Sequence, residues 1–171
     1  MNASAPVGVQ LANVLLVSDE SYYATVHHLV EHATICCLAS VFIVDLNSHS
    51  DPDIKVFQLL KALQNATWRG IEVKLLVGGS RENLAIAEAC HIARDVAVYL
   101  GIDCRLLTSE ERRGSHAKLV TVDNYVLSGS HNWSLSAFSG QIQDSLLVKS
   151  PAMAAYMRAV FYQQWARTEE Q

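Results

Sequence analysis

Residues 117–129 read AKLVTVDNYVLSG, two short apolar runs rich in β-branched residues, joined by an Asp-Asn pair. That pattern predicts two strands folded back on each other through a tight turn. A hairpin forces antiparallel pairing on whatever sheet contains it. Elsewhere strands alternate with helices, an order that builds parallel sheets. Together the two signals predict an α/β fold: an αβα sandwich with a mixed β-sheet flanked by helices.

Working outward, NVLLVS (13–18) reads as a buried strand and SYYATVHHLVEHA (21–33) as a helix. TICCLASVFIVD (34–45) has the length and β-branching of a central strand. Asp51-Pro52 gives an N-cap and a first-turn proline for a helix with Val56, Leu59, Leu60 and Leu63 on one face. Gly70 closes that helix, and IEVKLLV (71–77) follows as a strand. Ser80 is placed to cap a long helix that buries Ile86, Ala89, Cys90, Ala93, Val96, Ala97 and Leu100 and stops at Gly101. CRLL (104–107) and DSLLVKS (144–150) add strands. Ser150-Pro151 opens a last helix with Met153, Met157, Val160, Phe161 and Trp165 at helical spacing.

The 171 residues, half of them apolar, suit one domain spanning 1–171, since no repeat or Pro/Gly-rich linker divides them. No apolar run reaches the roughly 18 residues of a membrane span. The first basic residue is Lys55, so the start lacks the positive region of a secretory signal and the expected location is cytoplasmic. Cys36, Cys37, Cys90 and Cys104 form no CxxC pair and read as buried free thiols. The net charge of −4 divides into −6 over residues 1–54 and +2 over the rest. This balance argues against strong nonspecific duplex binding, which requires clustered cations, and leaves room for a local phosphate site.

Polar groups crowd the hairpin's flanks. Strand alternation puts His116 and Lys118 on one face and turns Ala117 away. The same rule groups Ser130 with Asn132 and turns His131 away. An imidazole, an ammonium, a hydroxyl and a carboxamide then converge, a set suited to a phosphodiester. A neutral imidazole can attack phosphorus, and an imidazolium can protonate the leaving oxygen. Lys118 offers charge to nonbridging oxygens, with Asn132 and Ser130 as neutral donors. Trp133 reads as a packing residue rather than a base-stacking one. His28 and His32, four apart on a helix, have a metal-binding spacing but no third ligand, so no metal is expected. His91 lies between Glu88 and Asp95 on a polar helix face and reads as carboxylate-paired. Arg112 and Arg113 can guide a phosphate backbone, although Glu110 and Glu111 adjoin them.

HAKLVTVD fits HxKxxxxD and GSHNWS fits GSxNxS, and together they resemble the phospholipase D superfamily signature. The resemblance extends over TICCLASVFIVD and LLKALQNATWRGIEVKLLV, which look like the strand, helix and strand preceding that signature. It implies a phospholipase D-like fold and a two-step mechanism needing neither metal nor cofactor. By matching position, His116 is the histidine that becomes phosphohistidine and Lys118 the phosphate binder. Ser130 and Asn132 are supporting contacts, and Asp123 is the signature's structural aspartate. The glutamate that orients the histidine in the family is replaced by Asp144, one methylene shorter. Ser115 and Leu119 also depart from the commonest form.

One motif supplies half a site, so the resemblance is to the small members that join two copies as a homodimer. Those are mostly nucleases, which makes single-stranded DNA or RNA the expected substrate. The alternatives are a phospholipase or transphosphatidylase acting on lipid, for which no amphipathic or polybasic segment is visible, and a catalytically weak nucleic-acid-binding domain.

Overall fold

A computed structural model describes residues 13–46, 55–80, 82–107 and 115–168. A seven-stranded sheet has the order β1-β7-β6-β5-β2-β3-β4, with β1 Asn13–Ser18, β2 Cys36–Val41, β3 Glu72–Val77, β4 Asp103–Leu106, β5 Lys118–Val122, β6 Tyr125–Gly129 and β7 Asp144–Lys149. β2, β3 and β4 run parallel, while β5, β6, β7 and β1 pair antiparallel, so the sheet is mixed. The hairpin turns at Asp123, whose φ of 50° is the left-handed region an aspartate tolerates.

Alternation along the strands sends side chains into two separate cores. Cys37, Ala39, Val41, Leu75, Val120 and Leu127 meet α1 (Ser21–Glu31), α2 (Lys55–Trp68), α3 (Leu84–Tyr99) and α4 (Leu135–Ser139). On the other side, Cys36, Leu38 and Leu76 pack on Phe161 and Trp165 of α5 (Pro151–Ala166), and Leu119 and Val126 on its Ala154. This is the expected three-layer sandwich. Its second helical layer is one helix, covering β2, β5 and β6 and stopping short of β1.

That uneven cover corrects the first strand. NVLLVS is an edge strand paired only with β7, and Val14, Leu15 and Leu16 are 57–60% exposed. Val17 alone of its four apolar residues is buried. The central strand is also shorter than 34–45. The regular strand ends at Val41, although Phe42 O still accepts from Gly79 N. Beyond it the chain turns to residues 132–133, where Ile43 N donates to Asn132 Oδ1, Trp133 N donates to Ile43 O and Asp45 N to Trp133 O. The long helix is capped by Asn83, which accepts from Ile86 N, whereas Ser80 accepts from Asn83 N outside it. Ser150 caps α5 as its sequence suggests, but Met153 of the expected stripe is exposed. The Asp51-Pro52 start and Arg112-Arg113 lie outside the described residues. Among the described residues, no helix is long and apolar enough to cross a membrane.

Candidate active site

The ends of five strands meet at one edge of the sheet. Lys118 begins β5 and pairs with Val41 at the end of β2, Gly129 ends β6 opposite Ser145, and Asp144 begins β7 opposite Ser18. His116 and Lys118 are in contact: Lys118 Nζ lies 3.2 Å from His116 Nδ1 and 3.1 Å from its carbonyl oxygen. Phe42, just past β2, backs both. Its ring centroid is 4.4 Å from the imidazole's and 5.0 Å from Lys118 Nζ. Burial lowers the Lys118 pKa from its ordinary value, because the charged ammonium loses water there.

Two glycines make the edge possible. A Cβ on Gly78 would lie 2.1 Å from Ser115 O and 2.9 Å from Phe42 Cα, so only glycine lets the segment that leads through His116 into β5 pass the end of β3. A Cβ on Gly129 would lie 2.3 Å from Asp144 O and 2.4 Å from Ser145 Cα. The glycine of GSxNxS therefore serves the approach of β7.

The remaining motif residues divide. Ser130 gives its hydroxyl to the Asp144 backbone, 3.2 Å from both N and O, so it holds β7 in place. Asn132 Oδ1 accepts from Ile43 N at 3.2 Å, which leaves its NH2 to donate. Asp144 is exposed; its Oδ1 accepts from Ser18 Oγ at 2.6 Å, and it makes no ion pair with His116 of its own chain. The structure thus joins His116 to Lys118 and Ser130 to Asp144, without joining the histidine to the carboxylate. Asp123 sits at the opposite end of β5. Its carboxylate accepts from Thr34 N and Oγ1, Ile35 N and Cys36 N at 2.8–3.0 Å. Burial alone would raise its pKa, but these donors outweigh that and hold it below the usual carboxylate range.

His131 is fully buried, stacked on Tyr22 at 4.2 Å and 9°, with Nδ1 2.8 Å from Ser145 Oγ. Burial pushes its pKa down, against the Asp19 backbone and the Asp19 and Asp144 charges. Trp133 is also fully buried, its Nε1 donating to Tyr22 Oη, so its faces are closed to a base. His91 makes no carboxylate pair, since Asp95 bonds Arg94 at 2.6 Å. The His28 and His32 rings lie 4.2 Å apart, tilted by 36°, and among the described residues no three metal-ligating side chains cluster. The four cysteines are free and buried, and burial pushes Cys37 and Cys104 up to about 12, far from nucleophilic. Two site residues carried no sequence signal of their role: Phe42 lies inside an apolar run, and Ser18 ends an edge strand.

Residues 39–165, which contain this whole edge except Ser18, match the family described as cardiolipin synthase, PLD-like domain. The chain belongs to this phospholipase D-like family. Its PLD-like fold is similar to that of Nuc, a phospholipase D family member from Salmonella typhimurium, at 20% identity and a TM-score of 0.72 over 90% of this chain and 94% of that one. NucT from Helicobacter pylori is similar at 14% identity and a TM-score of 0.64, over 90% and 96% of the two chains. Phosphatidylserine synthase from Haemophilus influenzae shares the PLD-like fold at 12% identity and a TM-score of 0.65, but only 36% of that chain is covered. No curated protein is significantly similar in sequence.

Proposed function

We propose that residues 1–171 form a single-domain, metal-independent phosphodiesterase that cleaves single-stranded DNA or RNA as a cytoplasmic homodimer with a shared active site. The observation that carries this reading is the His116–Lys118 contact at an open sheet edge. Lys118 draws a phosphate's nonbridging oxygens toward the imidazole, and Asn132 supplies a neutral donor. With the ammonium donating to Nδ1, a neutral His116 ring carries its proton on Nε2. A phosphate that takes Lys118 for itself frees Nδ1, and the ring can shift its proton there and attack through Nε2. The new N–P bond forms as the P–O bond to the leaving group breaks, and the His116 imidazolium of a second copy protonates that oxygen. Water, deprotonated by the same second imidazole, then breaks the N–P bond and releases a phosphomonoester.

A second copy is supported by the separation of Asp144 from its own His116. A bare apolar strip next to Asp144 points the same way. Leu16 and Leu146 face each other across the β1–β7 ladder, one alternation from the Ser18–Asp144 pair and on the same sheet face. They are 60% and 49% exposed, the kind of surface an interface covers. Coverage of nearly all of Nuc and NucT supports reading this domain with the small members.

The test is cleavage of labelled single-stranded DNA and RNA, with phospholipid vesicles as a parallel substrate, by the purified chain and by His116→Ala. Oligonucleotide cleavage that persists in EDTA, vanishes in the variant and leaves a phosphohistidine adduct on intact-mass analysis is expected. Turnover of vesicles alone would replace the substrate, and no turnover by a folded dimer would leave only binding.

A further inference from the structure

We infer that Ser18, at the end of β1, is a positioning residue for Asp144, so that the β1–α1 turn is part of the active site. This rests on the phosphodiesterase reading. Ser18 and Asp144 are register partners on adjacent antiparallel strands, and the Ser18 hydroxyl donates to Asp144 Oδ1 at 2.6 Å. A hydrogen bond to a carboxylate is among the stronger and more directional ones. Asp144 is exposed, and this is the side-chain hydrogen bond that fixes its carboxylate. Oδ1 being occupied, Oδ2 is the oxygen left to meet an imidazole.

The turn itself is held against the same segment. Asp19 takes a left-handed φ of 46°, its amide donates to Gln143 O at 2.9 Å, and its Oδ1 accepts from Gln143 N at 2.8 Å. The chain entering β7 is therefore pinned on both sides of the carboxylate, by Asp19 before it and by His131 through Ser145 after it. An aspartate has one rotatable bond fewer than a glutamate, so it reaches less far and depends more on where its strand is held. Ser18 lies outside residues 39–165, the span matched to the family, and its role comes from the register of β1 on β7.

The experiment compares Ser18→Thr with Ser18→Val, two side chains of nearly equal shape of which only the first keeps the hydroxyl, together with Ser18→Ala. Steady-state cleavage of a single-stranded oligonucleotide and thermal melting are measured on each. Thr is expected to keep parental kcat. Val and Ala are expected to lose about tenfold in kcat, the scale of one charge-assisted hydrogen bond, with KM within about twofold and melting temperatures close to the parent's. Equal kcat for Thr and Val overturns the inference, as does a loss confined to KM or one that tracks a fall in melting temperature. A parent inactive on both oligonucleotides and phospholipid vesicles overturns the phosphodiesterase reading and this inference with it, whereas an active parent unaffected by Val overturns only the role of Ser18.

Discussion

Asp123→Asn separates the two halves of the HxKxxxxD signature. The aspartate lies at the far end of β5 from Lys118, a five-residue strand that at about 3.3 Å per residue spans roughly 17 Å. Its carboxylate gathers three backbone N–H groups and the Thr34 hydroxyl, tying the hairpin to the loop before β2. Asparagine fits the same volume and tolerates the φ of 50°. Its amide keeps one acceptor oxygen, but its NH2 now faces donors that the other carboxylate oxygen had satisfied. Those donors are near the surface, so water recovers part of the loss. At about 1 kcal/mol for each of two orphaned donors, the low end of the range for an unsatisfied group, Asp123→Asn costs about 2 kcal/mol. Urea unfolding should show a lower midpoint with an unchanged m-value. The sign with pH follows from the depressed pKa: the unfolded chain binds the proton more readily, so the parent's stability is whole above the ordinary aspartate value and is lost as pH falls through the lower folded one. Asn removes that acid dependence. Cleavage by the folded fraction should be unchanged. A cost under about 0.5 kcal/mol would refute the tie, and a fall in kcat at full folding would refute its separation from the chemistry.

Gly129→Ala places a methyl 2.3 Å from the Asp144 carbonyl, against backbone that cannot swing aside. It should cost about 2–3 kcal/mol in urea unfolding, the upper part of the overpacking range. His131→Phe keeps a ring on Tyr22 and removes the titrating group. Because burial lowers the His131 pKa, the parent's stability is whole above the ordinary histidine value and falls as pH drops through the folded one. The groups facing it are Tyr22, Asp19, Asp144 and Ser145. Melting temperature against pH should therefore fall less steeply below about pH 6.5 in the variant than in the parent. Leu16→Lys with Leu146→Lys adds charge to two exposed positions, so folding should survive while light scattering shows a monomer and cleavage is lost.

The sheet was legible because strand alternation and turn chemistry are local. Each residue from Cys36 to Val41 takes the face its parity dictates, and Asp123 makes the turn that Asp-Asn announces. Burial of β1 was not legible, because an apolar hexapeptide reads the same at the centre of a sheet and at its edge. The strand order decides that, through pairings between segments more than a hundred residues apart. The site divides along the same line. His116 and Lys118 are two residues apart, so parity alone brings them together. The parity argument also turned His131 inward and left Ser130 exposed, although the regular strand ends at Gly129. Which atom Ser130 bonds, and which hydroxyl reaches Asp144, depends on β7 lying between β6 and β1. Ser18 and Asp144 are 126 positions apart and share no spacing rule. A motif names candidate site residues, while the contacts that hold them follow from strand register and appear only once the sheet is assembled.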